Sequence, residues 1–434
     1  MIRALGLLAA LLLAACGRGD DRTTIVVQRF FGECGAVYGS TTDVAKADTE
    51  CGILATMINA FEAANPDVRI KVNVVAWPGY PQLSAQLAAG DPPDLVTMHQ
   101  SVISDYQALG LLDPMDDVLR EVGITADDFT PAGRAGVVKD GRIYAMPWDT
   151  IGGLFHINTA LMEKAGLMRG GKPILPRSPG ELLDHARRFR DATGKPYLIQ
   201  AQVNDPATHV RNLYTYLLAQ DQVIFPDPRH IRIATPQARE IVEFLRTIYA
   251  EGLTTRGQDF SAATQAFTNG EGGIFPVGTW MIGPYDEEAN TPGRPLYKSY
   301  AVVPYPAIFG RPAAFVDGHA WIMPKRHRSA RERAAAARFL GFLARHNYDW
   351  TRTGHLPAFK AVLDMPKFKA LPHRSEIAAM AATGAQLPSY VQRQSAIQSL
   401  LAEEIEAAVT GLKPVDAALQ DAERRVNELL EQML

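Results

Sequence analysis

The chain has 434 residues, 47% of them hydrophobic and 21% charged, with a formal net charge of −3. That length suits two domains of the usual ~100–200 residues with ordinary cores, and a near-neutral balance without a long Lys/Arg run argues against nucleic acid as a partner. H-E-x-x-H, G-x-S-x-G, P-loop and G-x-G-x-x-G motifs are all missing, so the familiar enzyme signatures are not there.

Met1-Ile2-Arg3 followed by the apolar run Ala4 to Ala15 reads as a signal peptide: one positive charge, then a core too short to span a bilayer. The run closes as Leu13-Ala14-Ala15-Cys16-Gly17, which looks like a bacterial lipobox with Cys16 as the lipidated first residue of the mature chain. An ordinary cleavage site with an incidental cysteine is the alternative. In an exported, oxidising compartment Cys34 and Cys51 are then expected to form a disulfide. Closing that 17-residue separation is worth roughly 3 kcal/mol and staples the polar excursion Gly32 to Thr49 onto the first helix. A metal or redox pair would want supporting His or a C-x-x-C spacing.

Thr24-Ile25-Val26-Val27 is a β-branched run, the pattern of a strand buried on both faces, and it opens into Gln28-Arg29-Phe30-Phe31. Leu54, Met57, Ile58 and Phe61 recur at helical steps, and the helix must stop at Asn65 because Pro66 disfavours helical geometry there. Val68, Ile70, Val72 and Val74 alternate with Arg69, Lys71 and Asn73, the period-two pattern of a half-exposed strand near a sheet edge. Trp77 and Tyr80 follow it. Tyr80, Leu83 and Leu87 make a second short helical face ended by Gly90, and Asp91-Pro92-Pro93-Asp94 delivers the chain into the buried strand Leu95 to Met98. Helices crossing between strands imply a parallel sheet, whose ligands sit beyond the carboxyl ends of the strands. Trp77, Tyr80, His99 and Gln100 therefore share one rim.

Ser104 to Leu112 reads as a helix, and Val137 to Tyr144 as a hairpin turning at Asp140-Gly141. Ala145-Met146-Pro147-Trp148-Asp149-Thr150 leads into the strand Leu154 to Ile157 and the helix N-cap Asn158. Helices follow at 181–193, 210–219, 236–251 and 260–269, and Gly272 to Trp280 is a glycine-bounded strand. Ser299 to Pro304 and Phe315 to Met323 are two more strands, and Lys325-Arg326-His327-Arg328 reads as a surface turn. Residues 330–345 and the stripe Val415, Leu419, Ala422, Val426, Leu429, Met433 are amphipathic helices, the second behind Pro414.

The order F-E-x-x-N-P-D, strand, W-P-x-Y, then A-x-G-D-x-P-D-L-V resembles the extracellular solute-binding lipoproteins of bacterial carbohydrate import systems, maltose-binding-protein-like receptors of solute-binding family 1. The likeness runs from about Ile25 to Leu430. Two departures stand out: Ile157 where the family has Tyr before the Asn, and His355 in Thr353-Gly354-His355-Leu356-Pro357 where it has T-G-Y-L-P. The resemblance implies an α/β, two-lobe periplasmic-binding-protein type II fold with three hinge crossings and a ligand cleft between lobes. The expected division is 1–21 as signal peptide and tether, 22–145 plus 276–323 as the first lobe, and 146–275 plus 324–434 as the second.

The implied role is binding a di- or oligosaccharide outside the cytoplasmic membrane and delivering it to ABC permease subunits. The chain would be a monomer without cofactor or metal, held at the cell envelope by its N-terminal lipid, and not an enzyme. Sugars offer apolar C–H faces and hydroxyl edges, which suit flat aromatic surfaces with acceptors and mixed donors. The candidate ligand residues are Trp77, Tyr80, His99, Gln100, Trp148, Asp149, Trp280 and Asp317, with Trp321 expected in the core. The alternatives are a receptor for a glycerophosphate-type or other polar solute, or an exported glycan-acting enzyme using a carboxylate pair in the same cleft.

Overall fold

A computed structural model describes residues 21–203, 207–380 and 384–432. The signal peptide and Cys16 lie outside the described residues. Two five-stranded sheets organise the chain. In the first, the strand Thr23–Arg29 lies between Val68–Val74 and Leu95–His99 and runs parallel to both, with Ile25 beside Ile70 and Val27 beside Leu95. Val68–Val74 forms the edge, and its Val68, Ile70 side is buried while Arg69 and Lys71 are exposed. His319–Ile322 pairs antiparallel with Leu95–His99, setting His319 opposite His99, and Ala145–Pro147 closes the sheet.

The helix Glu50–Ala64 starts at Thr49, whose hydroxyl accepts from the Gly52 N–H, and ends at Asn65 before Pro66. It buries Leu54, Met57, Ile58 and Phe61 against Phe339 of a later helix. Cys34 and Cys51 are disulfide-bonded. Asp140 and Gly141, both at positive φ, form the two-residue turn of the small hairpin.

The second sheet is built around the ten-residue strand Asp149–Asn158. Ile274–Gly278 and Tyr300–Pro304 flank its later residues, whereas Val316–Asp317 and Leu356–Pro357 pair with its first four. Asn158 caps the next helix by accepting from the Leu161 N–H, so Ile157 in place of Tyr leaves that junction intact.

The strand pairing overturns part of the expected division. Tyr300–Pro304 belongs to the second sheet, not the first lobe, and Ile274–Gly278 does not return the chain. The return comes after Pro304, where Val316–Asp317 leads into His319–Ile322. Nor does the chain leave the first lobe at Met323–Lys325: the helix Ala330–Arg345 packs Phe339, Leu340 and Leu343 into the core that holds Ile25 and Phe61. Only from Leu387 onward do the helices Gln394–Val409 and Val415–Glu431 join the core with Leu213 and Ile241. Arg328 explains the retention. Its side chain is only 5% exposed and donates to Asp113 Oδ2 at 2.7 Å and to the carbonyls of Asp94 and Pro324 at 3.0 and 2.7 Å. Its Nε also lies 3.3 Å from the buried Asp94 carboxylate, so moving this turn elsewhere would strand a buried charge.

Candidate functional site

Three parallel strands bring Phe30 and Phe31, Trp77, and His99 to one end of the first sheet. His99 stacks on Phe30 with centroids 5.4 Å apart, and Trp77 stands edge-on to it at 5.8 Å. Trp77 keeps 67% of its surface exposed. The Tyr80 hydroxyl accepts from the His99 backbone N–H at 3.2 Å, which leaves its own proton for Nδ1 at 2.7 Å. Burial, helped by His319 and Arg211, holds the His99 pKa well below its ordinary value, so the ring is neutral and its second nitrogen is an N–H donor.

Beneath this rim lies a polar cluster. Asp149 is fully buried, and its Oδ1 accepts from the His319 backbone N–H at 2.7 Å. Its Oδ2 accepts from His319 Nδ1 at 2.8 Å and from the Trp350 indole at 2.7 Å. Burial pushes the Asp149 carboxyl up, but the His319 and His355 imidazoles and these hydrogen bonds outweigh it and hold the pKa at about 2. For His319 burial works downward and the Asp149 carboxylate prevails, raising it. His355, fully buried, is lowered to about 4 by burial. Burial raises Glu50, although that side chain keeps 37% of its surface accessible. Asp149, His319 and His355 each offer a ligand atom within 4.8 Å of one another.

Of the residues expected at a site, Trp77, Tyr80 and His99 are brought together. Gln100 is buried, its Nε2 donating to the carbonyls of Asp149 and His319 at 3.1 and 3.3 Å while its Oε1 accepts from Gln386 at 2.7 Å. Asp317 accepts from the Ser101 N–H and hydroxyl at 3.1 and 2.6 Å and is raised by burial. Trp148, expected to stack on ligand, has no exposed surface. It packs against Trp321 and Trp350 at 6.3 and 5.5 Å. Asp149 likewise spends its oxygens on His319 and Trp350 and offers a ligand no exposed surface. Trp280 is half-buried against another core group, with Ile199, Phe275 and Tyr285. Trp321 is in the core. Sequence reasoning missed Trp350, His355, Glu50 and Gln386; the one visible signal was His355 in place of the family's Tyr.

The family model described as "Bacterial extracellular solute-binding protein" matches residues 56–376. A putative binding protein of Brucella abortus is 24% identical over 234 residues, 53% of this chain and 55% of its own, so the chain spans about half the length of such relatives. The sn-glycerol-3-phosphate-binding periplasmic protein UgpB of Salmonella paratyphi A is 23% identical over 405 residues, 86% of this chain and 88% of its own. Among solved structures, maltose-bound MalE3 of T. maritima superposes with a TM-score of 0.77 at 20% identity, covering 94% of this chain and all of the other. The fold is thus the two-lobe α/β fold of such receptors, and the chain belongs to the bacterial extracellular solute-binding protein family.

Proposed function

We propose that this chain is an exported receptor that captures a di- or oligosaccharide between its lobes and delivers it to an ABC-type importer without chemical turnover. The observation that carries the reading is the rim. An indole exposed to 67% stands beside a phenol and a neutral imidazole N–H donor, which offers a stacking face and hydroxyl partners together. Sugar-bound fold neighbours such as maltose-bound MalE3 support the substrate class. Lipid attachment through Cys16, a monomeric state and permease subunits as partners complete the proposal, with Trp77, Tyr80 and His99 as the first ligand contacts. Calorimetry of the full mature chain against a panel of maltooligosaccharides and other glycans tests it. Stoichiometric binding without released product supports a receptor, while turnover supports a glycan-acting enzyme.

A glycerophosphate-type solute is the second reading, favoured by Arg211. This exposed cation of the second lobe's helix Ala207–Ala219 contributes to the lowered pKa of His99. UgpB relatives align over most of the chain. Binding of sn-glycerol-3-phosphate but of no neutral sugar, lost in Arg211→Gln, would select this reading.

A further inference from the structure

We propose that Asp149, His319 and His355, whose ligand atoms lie within 4.8 Å of one another, hold one zinc-type divalent transition-metal ion beneath the rim, with Glu50, 3.3 Å from His355, swinging in as the fourth ligand, at a site separate from the solute cleft. The argument starts from His355. Its Nε2 is buried and makes no hydrogen bond, although Glu50 Oε1 lies 3.3 Å away and Asp149 Oδ2 3.9 Å away. Its Nδ1 lies 2.7 Å from the Thr353 hydroxyl, which itself donates to the Trp350 carbonyl at 2.7 Å. A hydroxyl has one proton, so both contacts are made only if His355 Nδ1 carries the imidazole hydrogen. Nε2 then presents a lone pair toward two carboxylate oxygens. A donor atom facing other donors across a buried space lacks an electron-poor centre between them.

The spacing comes close to such a centre once the Asp149–His319 hydrogen bond lengthens by about 0.5 Å to admit the ion. Four ligands about 2.0–2.1 Å from a tetrahedral zinc ion stand roughly 3.3 Å apart. The separations here are 2.8 Å for Asp149 Oδ2 to His319 Nδ1, 3.3 Å for Glu50 Oε1 to His355 Nε2, and 3.9 Å for Asp149 Oδ2 to His355 Nε2. Two imidazoles and two carboxylates match borderline divalent ions, whereas calcium and magnesium favour all-oxygen sets of six or more. Outer partners already orient the ligands: Thr353 fixes the His355 tautomer, and the Trp350 indole holds Asp149. His319 ligates through Nδ1, releasing to solvent the proton it now directs at Asp149. Glu50, the one ligand with substantial exposure, marks the entry side. The ion would tie the helix Glu50–Ala64, the starts of the strands Asp149–Asn158 and His319–Ile322, and the loop before Leu356 into one body. His319 lies 4.8 Å from His99, so the ion would also stiffen the floor of the rim.

The test uses the untagged mature chain, stripped with chelator and titrated with Zn²⁺ and, for its spectrum, Co²⁺. The expected result is uptake of one equivalent, a four-coordinate Co²⁺ absorption band and a higher melting temperature with Zn²⁺. His355→Gln and Glu50→Gln should each weaken uptake at least as much as the about 10–100-fold that loss of an outer partner costs. His230→Gln, at an exposed histidine paired with Asp227, should leave it unchanged. Should His355→Gln fail to fold, Glu50→Gln decides alone, since its partly exposed side chain tolerates an isosteric change. Absence of stoichiometric uptake, a six-coordinate spectrum, or affinity unchanged in Glu50→Gln overturns the site. The outcome is independent of whether any sugar or phosphate binds the cleft.

Discussion

The indole N–H of Trp350 ends on Asp149 Oδ2 at 2.7 Å, tying a helix of the first lobe to the opening residue of the second sheet's central strand. Both residues are fully buried, so the hydrogen bond supplies a donor that water cannot replace. Trp350→Phe keeps an aromatic ring but removes that donor together with part of the indole. Because a hydrogen bond to a charged group contributes about 1.5–3 kcal/mol and the smaller ring leaves a cavity, urea unfolding should show a loss of at least that size. An unchanged midpoint would mean that the carboxylate draws its stability from His319 alone.

Trp77 and Trp148 should separate binding from folding. Trp77→Ala removes an exposed indole and is expected to weaken solute binding by about 1–3 kcal/mol with little change in unfolding. Trp148→Ala opens a cavity between Trp321 and Trp350 and should cost about 3–5 kcal/mol of stability. Calorimetry beside denaturant melts reads both. Equal effects of the two substitutions on affinity would contradict the assignment of Trp77 to the rim.

Acid should destabilise the fold through His156. This buried ring sits 2.9 Å from the Tyr300 hydroxyl and 3.2 Å from the Gly278 carbonyl. Burial, with the nearby His373 imidazole adding to it, lowers its pKa to about 3 against the opposing backbone carbonyls of Gly278 and Val277. A depressed folded pKa gives stability that is fully present above the unfolded value near 6.5 and is lost progressively as pH falls toward about 3. The slope reaches about 1.4 kcal/mol per pH unit. Unfolding at pH 7.5, 6.0 and 5.0 should therefore show a steeper decline in the parent than in His156→Gln. Parallel declines would exclude His156 as the source.

Replacing both Cys34 and Cys51 by Ser should cost about 3 kcal/mol, the loop entropy of a 17-residue separation. Thiol titration of the folded, unreduced mature chain should find neither cysteine free. The polar excursion between them should become the first segment cut by protease in the double variant.

Local structure was legible because it is written in short periods. The alternation of Val68 to Val74 gave an edge strand, and the step pattern Leu54, Met57, Ile58, Phe61 gave the face that packs on Phe339. Lobe membership after Met323 was not legible, since it depends on Arg328 reaching Asp94 and Asp113 more than 200 residues earlier. Trp148 was misread for a related reason. An aromatic at a strand end points inward or outward with a one-residue change of register, and only the partners Trp321 and Trp350 decide which. The buried cluster escaped notice because Glu50, Asp149, His319 and His355 are each ordinary in their local context.

The strand Asp149–Asn158 has no slack in it. Its first residues are laddered to Leu356–Pro357 and Val316–Asp317, and its later ones to Ile274–Gly278 and Tyr300–Pro304, so backbone pairing passes from one set of partners to the other without a gap. A loose linker would let the halves swing freely, whereas a strand laddered over its whole length resists bending and yields more readily to twist. The molecule is therefore built with a torsion bar between its halves. Motion should be a small twist that stores elastic energy and springs back once the load is removed.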